Sequence, residues 1–313
     1  MDALSDMLRV TRLTGGVFLH AEFTADWCVA ARMTPELSAR FLDPPGHQMP
    51  FHYVAEGELE VAVGSKPPVK LHAGQIVLFP HNDTHVMGTN LNLAPISLGE
   101  VTLQRQGVGL RFISHGQGGA ATRLICGYLG CDSRPENPVI AALPAALRFS
   151  VPELMRSTFE YAARECESGR PGSDTVLAKL SELIFVEAVR SYVEAAPQAR
   201  GGWLAALTDP VLARALAVLH ADVARPWKVE DLARKVGTSR SVLAERFTRT
   251  IGMAPMQYLA HWRMQVAAHE LKTSRTSLAR IAERVGYESE AAFSHAFKKA
   301  FGKAPAGWRR LAA

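Results

Sequence analysis

From Gly16 to about Tyr128, apolar and polar residues alternate in short runs broken by Gly, Pro and Asn. That two-residue period predicts half-buried β-strands. Phe51 to Ala55, Glu58 to Val63 and Gln75 to Phe79 are the clearest, with turns at Gly64-Ser-Lys-Pro-Pro and Ala73-Gly74. Many short strands in succession suggest a barrel or sandwich. From Glu153 the period lengthens. Leu154, Met155, Phe159, Ala162 and Cys166 share one helical face, and Leu177, Leu180, Ile184 and Ala188 share another. Gly169-Arg-Pro-Gly separates these two helices, whose apolar stripes can pack on the barrel or on a second copy of the chain. The stretch Ala195 to Gly202 has the composition of a linker. Asp209-Pro210 then supplies an N-cap and a first-turn proline for a new helical domain.

Within that last domain the chain nearly repeats itself at a spacing of about 50 residues, as arrays of one structural unit do. The first copy runs from Asp231 to Pro255 and the second from Arg280 to Pro305. In each, a small residue on a short helix (Ala233, Ala282) permits close crossing by a second helix. A glycine (Gly237, Gly286) ends the first helix in the left-handed conformation that reverses the chain. Ser239 and Ser289 cap the second helix, and Leu243 with Phe247, or Phe293 with Phe297, anchor it in the core. The opposite face presents Arg240, Ser241, Ala244, Glu245 and Thr248 in one copy, and Glu290, Ala291, Ser294, His295 and Lys298 in the other. These are the candidate base-reading residues of paired helix-turn-helix units. The run Met256 to Leu271, with Leu259, Trp262 and Val266 on one face, is a helical spacer between them. A rigid spacer lets two readers enter successive major-groove segments roughly 34 Å apart.

Charge agrees with this. The chain of 313 residues carries a net charge of +5, but residues 1–208 sum to −4 and the remainder to +9. The basic end is therefore the part that meets a polyanion, here double-stranded DNA. Composition narrows the rest. At 48% hydrophobic residues the chain is long enough to bury about two cores. Met1 to Gly16 lacks a secretory h-region, and no apolar run approaches the roughly 20 residues of a membrane span. A cytoplasmic protein is expected, with Cys28, Cys126, Cys131 and Cys166 reduced. No Gly-x-Ser-x-Gly nucleophile motif is visible, so the chain reads as a non-enzyme.

At these residues the C-terminal segment, from about Asp209 to Arg310, resembles the AraC/XylS family of transcription regulators. The match includes Ala233, Gly237, Leu243, Phe247, Gly252, Pro255 and Tyr258 in one half. It includes Ile281, Ala282, Gly286, Phe293, Phe297, Gly302 and Pro305 in the other. The family often has Arg where this chain has Glu245 and His295, so its base preference does not carry over. The segments Pro50 to Gly64 and Gly74 to Gly88 resemble the two cupin motifs, and cupins are common sensor domains in this family. Metal-binding cupins draw two His and a Glu from the first motif, where this chain has His52, with His47 earlier. The second motif keeps Gly74, Pro80 and His85. Cys126 is a further strand residue that can face the same cavity. Imidazole and thiolate together suit zinc, which needs about four ligands at a structural site. The alternative is that His52 and His85 only hydrogen-bond within a cavity or stand at strand ends.

The expected fold is thus α+β and multidomain. A cupin-like β-barrel sensor spans 1–150, a helical hairpin for dimerisation and a linker span 151–200, and an all-α domain with two helix-turn-helix units spans 208–313. The expected function is a sequence-specific DNA-binding regulator, an activator, controlled by a signal at His52, His85 and Cys126. That signal is a small molecule, a metal such as zinc, or a redox change. The resemblance implies RNA polymerase as a partner, and the helical hairpin implies a homodimer. A cupin-type metal-dependent enzyme is the alternative function.

Overall fold

A computed structural model of the chain describes residues 2–11, 13–24, 26–34, 47–98, 101, 103–106, 110–131, 137–168, 170–195 and 201–310. Residues 196–200 of the expected linker, and Gly169 between the paired helices, lie outside the described residues. The chain divides into a β unit, Thr11–Ala195, and a helical unit that joins Met1–Val10 to Ala196–Ala313.

The β unit is built from β1 (Leu13–Thr24), β2 (Cys28–Ala31), β3 (His47–Glu56), β4 (Glu58–Val63), β5 (Val69–His72) and β6 (Gln75–Leu78). It continues with β7 (His85–Gly88), β8 (Ile96–Ser97), β9 (Leu103–Gln106), β10 (Leu110–His115), β11 (Ala121–Cys131) and β12 (Leu147–Ser150). The short helix α2 (Pro138–Ala142) precedes β12. A seven-stranded sheet in the order β12-β6-β3-β11-β1-β10-β9 faces a five-stranded sheet in the order β5-β4-β7-β2-β8. Between them lies a core that includes Phe23, Trp27, Val54, Leu59, Val61, Leu71, Phe79, Met87 and Leu124. In β4 only alternate residues, Leu59 and Val61, are buried, because one face of its sheet meets solvent. In β3, by contrast, seven consecutive residues from Gln48 to Val54 are buried.

The helices explain that double burial. Helix α3 (Glu153–Ser168) and helix α4 (Ser173–Ala195) pack on the seven-stranded sheet, against strands that include β1. Phe159 stacks on Tyr53 at 4.3 Å between ring centroids. Leu177, Ile184, Phe185, Ala188 and Val189 are buried along α4, while Leu180 is half-buried. The chain's own sheet therefore covers the apolar stripe of α4 that the sequence offered to a partner copy. The side chains of Leu154 and Cys166 lie outside the described residues.

The helical unit contains α1 (Ala3–Thr11, entering the β unit at its last residue), α5 (Trp203–Ala206), α6 (Pro210–Ala221), α7 (Val229–Val236) and α8 (Arg240–Ile251). After these come α9 (Pro255–Thr273), α10 (Leu278–Arg284), α11 (Glu290–Phe301) and α12 (Pro305–Arg310). Asp209 caps α6 by accepting from the amides of Val211 and Leu212. At its centre, Trp203 Nε1 donates to the Tyr258 hydroxyl at 2.7 Å, and that hydroxyl lies 2.7 Å from His220 Nε2. His220 also stacks on Trp262 at 3.9 Å. Because Tyr258 receives the indole proton, it donates its own to His220, and His220 carries its proton on Nδ1. Asp6 of α1 stands 3.8 Å from that nitrogen. Burial lowers the His220 pKa to about 3 and raises that of Asp6, so the contact is not an ion pair. Among the described residues, no helix is long and apolar enough to cross a membrane.

Candidate nucleic-acid interface and sensor cavity

Helices α7 and α8 form the first helix-turn-helix unit, and α10 and α11 the second. Gly237 and Gly286 both have φ of +77°, the left-handed turn the reversal requires. Ser239 caps α8 on the amide of Val242, and Ser289 caps α11 on the amide of Ala292. Leu243, Phe247, Phe293 and Phe297 are all fully buried. The burial pattern from Arg240 to Arg249 recurs residue for residue from Glu290 to Lys299. Two unlike sequences thus present the same face.

Of the ten candidate readers, Arg240, Ser241, Glu245, Thr248, Glu290, Ala291, His295 and Lys298 are exposed on that face. Ala244 and Ser294 are half-buried on its flank. At 100° per residue the exposed arc centres on Glu245, and it also takes in Val242 and Arg249, or Ala292 and Lys299 in the second copy. These four were missed in the sequence. Continuing the spacing one turn beyond Glu245 and His295 would have found Arg249 and Lys299. Val242, 42% exposed, is the large apolar residue on the first reader.

The two faces each sum to +1 (Arg240 and Arg249 against Glu245; Lys298 and Lys299 against Glu290), and they differ in how those charges are paired. Arg240 pairs with Glu230 of α7 at 2.9 Å, and Arg249 with Glu245 at 3.3 Å. Among the described residues, Lys298 and Lys299 form no ion pair. Helix α9 lies between the units and shares Ala267, Ala268 and Leu271 with the second core, with Val266 partly buried beside them. Its Arg263 donates to the carbonyls of Val223 (3.0 Å), Ala224 (3.3 Å) and Arg225 (2.9 Å), and its guanidinium lies over the Tyr287 ring. The loop before the first unit and the turn of the second are thereby held to one helix.

Over its full length the chain resembles known regulators. Residues 2–194 match a family described as Cupin, and residues 232–311 match one described as a helix-turn-helix domain. A putative AraC-like transcription regulator of Streptomyces lividans is 32% identical over 99% of this chain and 98% of its own length. The chain belongs to the AraC family of transcription regulators. AlkR, an HTH-type transcriptional regulator of Acinetobacter baylyi, is 28% identical over 99% of each chain. The structure of the AdpA DNA-binding domain in complex with a target DNA covers 33% of this chain and 93% of its own, at 32% identity and a TM-score of 0.32. Helices α8 and α11 lie within the matched helix-turn-helix domain, and the β unit within the matched cupin domain, of this AraC-family regulator.

Within the β unit the structure brings His52, His85 and Cys126 together. Cys126 of β11 is paired in register with His52 of β3, which places both side chains on the inner face of the sheet. His85 begins β7 in the facing sheet, with its ring stacked on Phe79 at 3.6 Å. His85 Nδ1 lies 3.0 Å from the Asp83 carbonyl, His52 Nε2 lies 2.8 Å from His85 Nε2, and His52 Nδ1 lies 3.0 Å from Cys126 Sγ. A carbonyl can only accept, so His85 is protonated on Nδ1 and its Nε2 accepts. His52 must then donate from Nε2, which leaves its Nδ1 to accept from the thiol. Burial keeps the chain neutral, lowering the His85 pKa to about 4, holding that of His52 well below its usual value, and pushing the Cys126 thiol up. His47 stands apart, on the Pro80 carbonyl at 2.6 Å.

This arrangement does not fit zinc. The three donors lie in a line with His52 in the middle, and one imidazole cannot aim both nitrogens at one ion. Zinc bonds of about 2.0–2.1 Å to two imidazoles also need the nitrogens farther apart than a shared proton allows. Among the described residues, no three His, Cys, Asp or Glu converge on a metal position. The trio instead forms part of the wall of a cavity of about 730 Å³ including its open mouth.

Proposed function

We propose that this AraC-family regulator is a cytoplasmic, homodimeric, sequence-specific activator with no enzymatic activity. Its β unit senses a signal in the cavity beside His52, His85 and Cys126. The matched faces of α8 and α11 carry the reading, because identical burial on unlike sequences is what two readers of different bases need. Family membership supports RNA polymerase as the partner through which it acts. Relatives matched along the whole chain are named as transcription regulators, which favours this reading over the enzyme alternative.

Footprinting of the full chain on genomic fragments tests this. Ser241→Ala and His295→Ala change which sequences are protected. Lys299→Ala, at the edge of the second face, weakens all sequences alike and lowers the salt dependence by about one counterion. Sequence-insensitive protection, unchanged in all three variants, would refute it.

A further inference from the structure

We propose that the sensor cavity takes an uncharged, largely apolar small molecule and rejects charged relatives of the same shape. This rests on reading the β unit as the sensor. The cavity is walled by Phe23, Met33, Met87, Leu98, Val101 and Ile113 among others, which offer dispersion contact and no hydrogen bond. The chain of His52, His85 and Cys126 is saturated. Both nitrogens of both imidazoles are used, and the thiol proton is committed to His52. Neither ring bears charge, because burial favours the neutral imidazole. Among the described residues, an ion entering here would give up its hydration and gain neither a counterion nor a free donor from this trio, and the Tyr128 hydroxyl that also lines the cavity is neutral and cannot replace a counterion. Arg32 also lines the cavity, but it is exposed and remains in water. A carboxylate therefore gains little from it.

The chain also limits how the site can adapt. Its direction is set by the Asp83 carbonyl, so offering a ligand one of these protons leaves another buried polar atom unpaired. An apolar guest avoids that loss.

The test uses the full chain, calorimetric titration and melting. Toluene and n-hexane serve as neutral probes, with benzoate, benzylammonium and hexanoate as their charged counterparts. The expected result is saturable binding of toluene or n-hexane, with every charged counterpart at least ten-fold weaker. Ala21→Leu and Ala31→Leu each place added bulk in the cavity, at residues outside the DNA-reading faces. Either one that melts like the parent chain should abolish binding. Equal binding of benzoate or hexanoate through Arg32 would overturn the inference. So would failure of both neutral probes, or neutral binding that survives both filling substitutions. Binding in the cavity that leaves DNA affinity unchanged would uphold the ligand class and sink the sensor reading.

Discussion

Substituting alanine at the two turn glycines separates a local cost from a tertiary one. Gly237 and Gly286 occupy equivalent positions of the repeat and share φ of +77°. A Cβ at Gly237 meets nothing within 4 Å, so Gly237→Ala bears only the left-handed penalty, about 1–2 kcal/mol. A Cβ at Gly286 would stand 2.4 Å from the Ala224 carbonyl oxygen and 2.7 Å from Arg263 Nη2. Neither neighbour can move freely, because Arg263 binds three successive carbonyls of that loop. Relief costs at least one hydrogen bond to a charged group, about 1.5–3 kcal/mol. Gly286→Ala should therefore lose about 2.5–5 kcal/mol in total. At about 4 °C per kcal/mol this lowers melting by roughly 10–20 °C, against roughly 4–8 °C for Gly237→Ala. Tryptophan fluorescence during urea or thermal unfolding is the assay, since Trp203, Trp227, Trp262 and Trp308 lie in the helical unit and only Trp27 in the other. Equal losses in the two variants would refute the argument.

Acidification should destabilise both units. His85 and His220 have folded pKa values of about 4 and about 3, below the unfolded value, so the unfolded chain binds more protons as pH falls through 6.5. Each contributes about 2 kcal/mol of loss by pH 5. The raised pKa of Asp6 beside His220 acts in the opposite sense at lower pH. A melting temperature flat from pH 7 to 5 would contradict this. Cys126→Ser keeps a donor for His52 Nδ1 and should melt within a few degrees of the parent. Cys126→Ala leaves that buried nitrogen unpaired, costing about 1–3 kcal/mol in the β unit, and equal melting of the two variants would show that the chain is not directed as derived. For assembly, the candidates are Tyr161 of α3 and Leu183 of α4, 40% and 39% exposed, and not the buried Ile184. Tyr161→Lys with Leu183→Glu should shift sedimentation towards monomer without lowering the melting temperature, and an unshifted dimer would place the contact elsewhere.

The helix-turn-helix repeat was legible because its signals are local. A capping serine, a left-handed glycine and large apolar residues four apart each fix their own neighbourhood, and all recur about 50 residues later. The strands around Phe51, Glu58 and Gln75 were legible for the same reason, since alternation needs no knowledge of the partner strand. What escaped was which surface each apolar face would meet. The stripe of α4 announced burial equally well against its own sheet or another copy. Helix α1 shows the same limit. Ala3 and Met7 are buried within the helical unit, yet nothing in nine residues at the chain's start points to helices some 200 positions away. His52 and His85 were nameable from the cupin-like motifs and Cys126 from its strand, but not their linear order. That order depends on the pairing of β11 with β3 and on the Asp83 carbonyl, which no spacing encodes.

The two readers share a scaffold, so their difference in specificity has to come from side chains alone. Glu245, at the centre of the first face, can only accept hydrogen bonds, which directs it to the amino group of cytosine and away from phosphate. Its pairing with Arg249 at 3.3 Å is exposed and weak, so a base can replace it at little cost and leave Arg249 beside the backbone. The corresponding residues of the second face, His295 and Lys299, lack any such internal partner among the described residues and can offer hydrogen-bond donors. On this reading the first unit exchanges an internal ion pair for base contact, while Lys298 and Lys299 of the second are unpaired among the described residues. On this account salt should weaken the second unit's contribution more steeply than the first's, and discrimination against wrong bases should rest more on Glu245 than on any single lysine.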